Sequence, residues 1–155
     1  MIALKNNMNN KIPPPIVTLF FGLCIYLSRP YFPEFSNLVL NALSIISFVV
    51  GIFVFAAAVS SFKKQKTTVN PISIEKASSL VVNGIFKYSR NPMYLGMSLV
   101  LLGLTFKFNV IGGLLFTSIF ILFITTFQIK PEEVAKEKLF EQEWKNYTKN
   151  VRRWL

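Results

Sequence analysis

Residues 92–129 read PMYLGMSLVLLGLTFKFNVIGGLLFTSIFILFITTFQI, an apolar run interrupted only at Lys107-Phe108-Asn109. A helix that crosses a membrane needs about 20 apolar residues, so this run is too long for one helix. Its polar break is a turn signal, and the stretch predicts a helical hairpin, with helices at about 92–106 and 110–129. Working outward, two earlier apolar segments lie at residues 14–27 and 38–62. The second is long enough to span; the first is so only if Tyr26 to Phe32 are added. The expected fold is therefore all-α. It is a polytopic integral membrane protein of about four transmembrane helices, ending in the hairpin 92–129 and a cytoplasmic C-terminal amphipathic helix. The helix 92–106 would measure roughly 22 Å at 1.5 Å per residue, against a hydrocarbon core of about 30 Å. One of its ends is expected to sit below the lipid surface or in a thinned bilayer.

The composition agrees. The chain of 155 residues is 52% hydrophobic with 16 Phe, and its mean hydropathy is +0.47, too apolar for an ordinary soluble domain of this size. A net charge of +10 raises the question of nucleic acid. With four spans, however, both termini and the loop from Lys63 to Asn91 share one side. Of the 17 Lys and Arg residues, only Arg29 and Lys107 fall on the other. That asymmetry predicts cytoplasmic termini and makes the charge topological, which argues against nucleic-acid binding. Lys5 and Lys11 precede the first apolar run without a closely following small-residue cleavage site, so the run is read as an uncleaved anchor. The single Cys24 has no partner for a disulfide and reads as apolar filler. The chain has no histidine, which removes the usual general base and the commonest metal ligand; no metal site and no His-dependent triad is expected. A single domain is read, with residues 1–77 as a two-helix anchor and 78–155 as the half that carries chemistry.

That chemistry concentrates in two pieces. The first is Gly84-Ile85-Phe86-Lys87-Tyr88-Ser89-Arg90-Asn91-Pro92-Met93-Tyr94-Leu95-Gly96. Asn91-Pro92 reads as a helix start, with Asn as N-cap and Pro at the first helical position. Its free amides and positive dipole end, with the charge of Arg90 added, suit an anionic group. Phe86, Tyr88 and Tyr94 equally suit an interfacial aromatic belt. The second piece opens at Pro131-Glu132-Glu133, again read as a helix N-terminus. Beyond it Phe140, Trp144, Tyr147, Val151 and Trp154 recur at spacings of four and three, forming one apolar stripe. On periodicity alone this is an amphipathic helix lying on the membrane, with Lys145, Lys149, Arg152 and Arg153 facing lipid phosphates. Glu132 is suited to accept hydrogen bonds from a ribose or to bind an ammonium group. Arg90 and Glu133 are the candidates for catalytic roles.

The two pieces, joined by a helical hairpin and closed by Val151-Arg152-Arg153-Trp154-Leu155, resemble the isoprenylcysteine carboxyl methyltransferase and phospholipid methyltransferase superfamily over about residues 78–155. The resemblance implies a membrane enzyme using S-adenosylmethionine, with a cofactor pocket in the cytoplasmic half and an opening for a lipophilic acceptor from the bilayer. It places Ser78, Ser79, Leu80, Val81, Phe86, Asn91, Pro92, Met93, Tyr94 and Glu132 around the cofactor. This chain has Asn91 where the family most often has His, and Phe86 where it has Tyr. Lys136, Glu141 and Trp144 stand for the usual Leu, Gly and Tyr, and Gln128 stands for an arginine that prenylcysteine enzymes turn toward the substrate. With no obvious base for an amine beyond Glu133 or Tyr94, O- or S-methylation of a carboxylate or thiol ranks above N-methylation. A phospholipid amine acceptor and a non-catalytic membrane scaffold are the alternatives. The short chain fits a prokaryotic member in an inner membrane, with membrane lipids as neighbours and no obligate protein partner evident.

Overall fold

The computed structural model describes residues 12–65 and 79–155, and every regular element among them is helical. Ser78, Lys5, Lys11, Lys66 and Lys76 lie outside the described residues.

Helix α1 (Pro14–Leu27) opens after Pro13, where a proline lacks only an N–H that a helix start leaves unpaired. It closes at Ser28, whose hydroxyl donates to the Ile25 carbonyl at 2.9 Å. A 3-10 turn, Arg29–Tyr31, and an extended stretch lead to Asn37, whose Oδ1 accepts the Leu40 amide at 2.8 Å and so caps helix α2 (Leu38–Lys64). The only buried residues of α2 are Ser44, Gly51 and Ala58, each seven positions from the next. This narrow seam of small residues lies against helix α3 (Pro92–Phe108). A Cβ on Gly51 would stand 2.7 Å from the Gly96 carbonyl oxygen, and one on Gly103 would stand 3.0 Å from that of Ser44. The two backbones approach because nothing larger than hydrogen stands between them.

The hairpin is as expected in kind and tighter in detail. Helix α3 runs two residues beyond 106 and takes Lys107 with it, and Asn109 alone joins it to helix α4 (Val110–Ile124). Asn109 does this by hydrogen bonds to both sides: Oδ1 accepts the Gly112 amide at 3.0 Å, and Nδ2 donates to the Ser28 hydroxyl at 3.1 Å.

Pro131-Glu132-Glu133 does not start a new helix, contrary to the sequence expectation. Helix α4 passes through a π-helical turn, Thr125–Ile129, into helix α5 (Lys130–Asn150), making one rod of 41 residues. In a regular α-helix the Pro131 ring would press on the carbonyl of Phe127 four residues back and leave it without a donor. The wider π turn directly before the proline takes up that conflict. The stripe is corrected as well. Glu141 kinks α5 with φ 35°, the helix ends at Asn150, and Val151 and Trp154 lie past it. Trp144, Tyr147 and Val151 bury themselves against Leu80, Val82 and Phe140, and Trp154 packs on the main core, so this face is turned to protein and not to lipid.

That core draws Val17, Phe21 and Ile25 from α1, Tyr94, Met97 and Leu101 from α3, and Phe120, Ile124 and Ile129 from α4 and the π turn. Outside it the bundle is apolar again, with Leu19, Phe20 and Leu23 of α1, Ile45, Val49 and Phe53 of α2, and Leu115 and Leu122 of α4 all exposed. Among the described residues, α2 and the α4–α5 rod are long and apolar enough to cross a membrane, while α1 and α3 are shorter apolar helices. The start of α1, the segment 79–91 and the chain end meet at one end of the bundle. Gln128 Nε2 donates to the Ile12 carbonyl at 2.9 Å, and the Arg90 amide donates to the Arg152 carbonyl at 3.0 Å.

Candidate functional site

The site is built where α3 begins, beside the first turn of α5. Gly84, at φ 64°, lets the chain turn into the 3-10 segment Gly84–Lys87, and Phe86 then buries its ring edge-on against Phe62, 5.2 Å between centroids. Tyr147 fastens this segment to α5 by donating to the Phe86 carbonyl at 2.6 Å. Burial pushes the Tyr147 phenol up from its ordinary value, against the opposing charge of Arg90, so it stays a donor.

Asn91 occupies the N-cap position but does not cap with its side chain. Ser89 Oγ accepts the Asn91 amide at 3.1 Å, while Asn91 Nδ2 donates to the Arg153 carbonyl at 3.0 Å. Pro92 follows at the first helical position. One turn in, the Tyr94 hydroxyl donates to Glu132 Oε1, and Lys136 Nζ holds Glu132 Oε2 at 3.2 Å. The neighbouring Glu133 is gripped from two sides. Arg153 makes a forked contact, Nη2 to Oε2 at 2.6 Å and Nε to both oxygens at 3.1 Å, and Arg90 Nη2 lies 3.2 Å from Oε1. These bonds hold the Arg153 guanidinium above its ordinary pKa. Arg90 and Lys136 both stand over the Trp144 ring, 5.5 and 5.9 Å from its centroid.

The charge that Arg90 brings to the α3 start is thus paired with Glu133 through Nη2, and its Nε is the part left without a partner among the described residues. The other residues named from the sequence separate into three environments. Asn91, Tyr94 and Glu132 share the polar network and are 4–5% exposed. Val81, Phe86 and Met93 pack together beneath it against Ala58 at the end of α2. Leu80 lines a groove of about 360 Å³ with Val82, Glu143, Asn146, Tyr147 and Asn150, along α5; Ser79 precedes it, half-buried. Gln128 lies one turn before Glu132, fully buried, with its Oε1 unpartnered among the described residues; Arg90 Nε is orphaned in the same way. Sequence reasoning missed Arg153, which it gave to lipid phosphates, and the pairing of Lys136 with Glu132. The i, i+4 spacing of Glu132 and Lys136 signals the second; nothing local signals the first, since Arg153 reaches Glu133 from beyond the end of α5. No group of His, Cys, Asp and Glu able to hold a metal occurs among the described residues.

The site thus holds a buried tyrosine–carboxylate pair flanked by clamped charges, between two helices of an apolar bundle. The family described as phospholipid methyltransferase matches residues 39–143, from α2 into α5 and across the whole hairpin. The chain belongs to that family, one of methyltransferases. It is also similar to a Haemophilus influenzae protein described only as uncharacterized, 43% identical over 63 residues that make up 41% of this chain and the whole of that protein. No solved structure matches.

Proposed function

We propose that the chain is an integral membrane methyltransferase that uses S-adenosylmethionine at the cytoplasmic membrane face on a lipophilic acceptor. The observation that carries this reading is the buried Tyr94–Glu132 pair set beside Asn91 and Arg90 at the α3 start. The donor set suits the cofactor: Glu132 offers a carboxylate for a ribose or an ammonium group, and the orphaned Arg90 Nε offers a buried donor for a carboxylate. When bound, the cofactor supplies a methyl group on a sulfonium. The chain's own part is to bind, orient and exclude water, which suits an in-line transfer governed by positioning. The apolar outer faces of α1, α2 and α4 favour lipid around the bundle, and the basic residues gathered at the site end favour a cytoplasmic location for it.

The acceptor reading follows from the carboxylates. Glu133 is held by two guanidinium groups, and Glu132 by Tyr94 and Lys136, so each carboxylate is already engaged by its neighbours and neither stands open as a base. This favours a carboxylate or thiolate, which attacks without giving the enzyme a proton. A phospholipid amine is the second reading, favoured by the family's own description. Calorimetry in detergent is expected to detect S-adenosylhomocysteine, with binding lost in Glu132→Ala and in Tyr94→Ala. Undetectable binding by the folded parent chain would overturn the donor reading. Labelled cofactor supplied with a phosphatidylethanolamine or with a prenylated thiol or carboxylate separates the acceptors by the product that takes up label.

A further inference from the structure

Asn91, Tyr94 and Glu132 are buried, so on the reading above a ligand reaches them only if something moves. The helices are poor candidates. A single residue joins α3 to α4, α4 runs into α5 without a break, and the seam at Gly51 and Gly96 locks α2 to α3. Among the described residues Val151–Leu155 belongs to no helix and lies across the α3 start. Its attachments are nameable: at the hinge, Val151 buried against Trp144 and Tyr147 with its amide on the Tyr147 carbonyl; beyond it, the Arg90 amide on the Arg152 carbonyl, Asn91 Nδ2 and the Ser89 hydroxyl on the Arg153 carbonyl, the Arg153 fork on Glu133, and Trp154 seated on the core cluster that contains Tyr94.

We propose that Val151–Leu155 is a strap that gates the site, with Arg153 as its latch and Trp154 as its apolar anchor. Lifting it releases the Asn91 carboxamide and removes one of the two guanidinium groups from Glu133, at the place where the donor reading puts the cofactor. A five-residue segment outside any helix, held by a handful of named contacts, opens at lower free energy than any helix of the bundle. The ligand's identity rests on the methyl-donor reading; the movement rests on the contacts alone.

Two variants loosen the strap independently. Arg153→Gln removes the latch, and Trp154→Ala removes the anchor while leaving the Glu133 fork. In each, hydrogen exchange followed by mass spectrometry is expected to speed up at the peptide containing Arg90 and Asn91, with the α3–α4 hairpin still protected. Stopped-flow tryptophan fluorescence is expected to show S-adenosylhomocysteine associating and dissociating about tenfold faster, with Kd little changed. Arg153→Lys, which keeps the charge without the fork, should fall between. Unchanged exchange in both variants, or faster exchange with an unchanged association rate, would overturn the gate. A parent chain that binds no S-adenosylhomocysteine while both variants loosen the strap would instead remove the donor reading and leave the movement established.

Discussion

Tyr147 shows how one hydroxyl ties the two halves of the site together. Its phenol donates to the Phe86 carbonyl at 2.6 Å, and burial raises its pKa well above the ordinary value. A group whose folded pKa is raised contributes stability that is fully present below its unfolded pKa, about 10 for tyrosine, and loses it as pH rises through the folded value. Thermal unfolding in detergent is therefore expected to be insensitive to this group up to roughly pH 10 and to weaken above it. Tyr147→Phe should lower stability at neutral pH by about 1–3 kcal/mol, because the buried Phe86 carbonyl loses its donor, and should flatten the alkaline decline. An equally steep decline in the variant would contradict this account. The residues of the site were legible in the sequence as types, and their partners were not. Asn91 was readable as a helix-start residue, yet Ser89 accepts its amide while its own side chain reaches Arg153, 62 positions away. Long-range choices of that kind depend on which ends of the helices meet.

For the elements, the sequence was most informative where a local rule had no competitor. Asn109 closes the polar break, three residues before a glycine pair, and it is the single residue that joins the hairpin. Pro131 followed by two glutamates carries an equally clear local rule for a helix start, but there the rod continues, because a π turn costs less than exposing the ends of two helices in the middle of the bundle. The α2–α3 seam leads to a sharper test. Gly51→Ala places a Cβ within 2.8 Å of backbone atoms at both Gly96 and Val100, which neither helix can yield without separating. We expect it to cost about 1–3 kcal/mol or more, the usual range for overpacking. Gly22→Ala, whose Cβ would meet only Leu104 and Leu101 side-chain ends at 3.2 and 3.7 Å, should be nearly neutral. Equal melting temperatures for the two variants would show that the seam is not tight.

On the scale of the whole molecule, the apolar exterior and the gathering of basic residues at one end give a direct expectation. The chain should stay with membranes after alkaline carbonate washing and dissolve only in detergent. Reporter fusions at either terminus should be active only as cytoplasmic fusions. Recovery in the carbonate supernatant, or a reporter active outside, would overturn this arrangement. The continuous rod from Val110 carries a consequence for the environment as well. No flexible joint separates its apolar part from Glu132 and Glu133, so the two carboxylates ride on whatever tilt the bilayer imposes. Helix α3 is 17 residues long, about 25 Å at 1.5 Å per residue and shorter than a typical hydrocarbon core, and the link at Asn109 and the shared core tie it to the rod. In a bilayer, acyl-chain length is therefore expected to set the depth and tilt of α3 and the rod together, carrying Tyr94 and Glu132 as one unit.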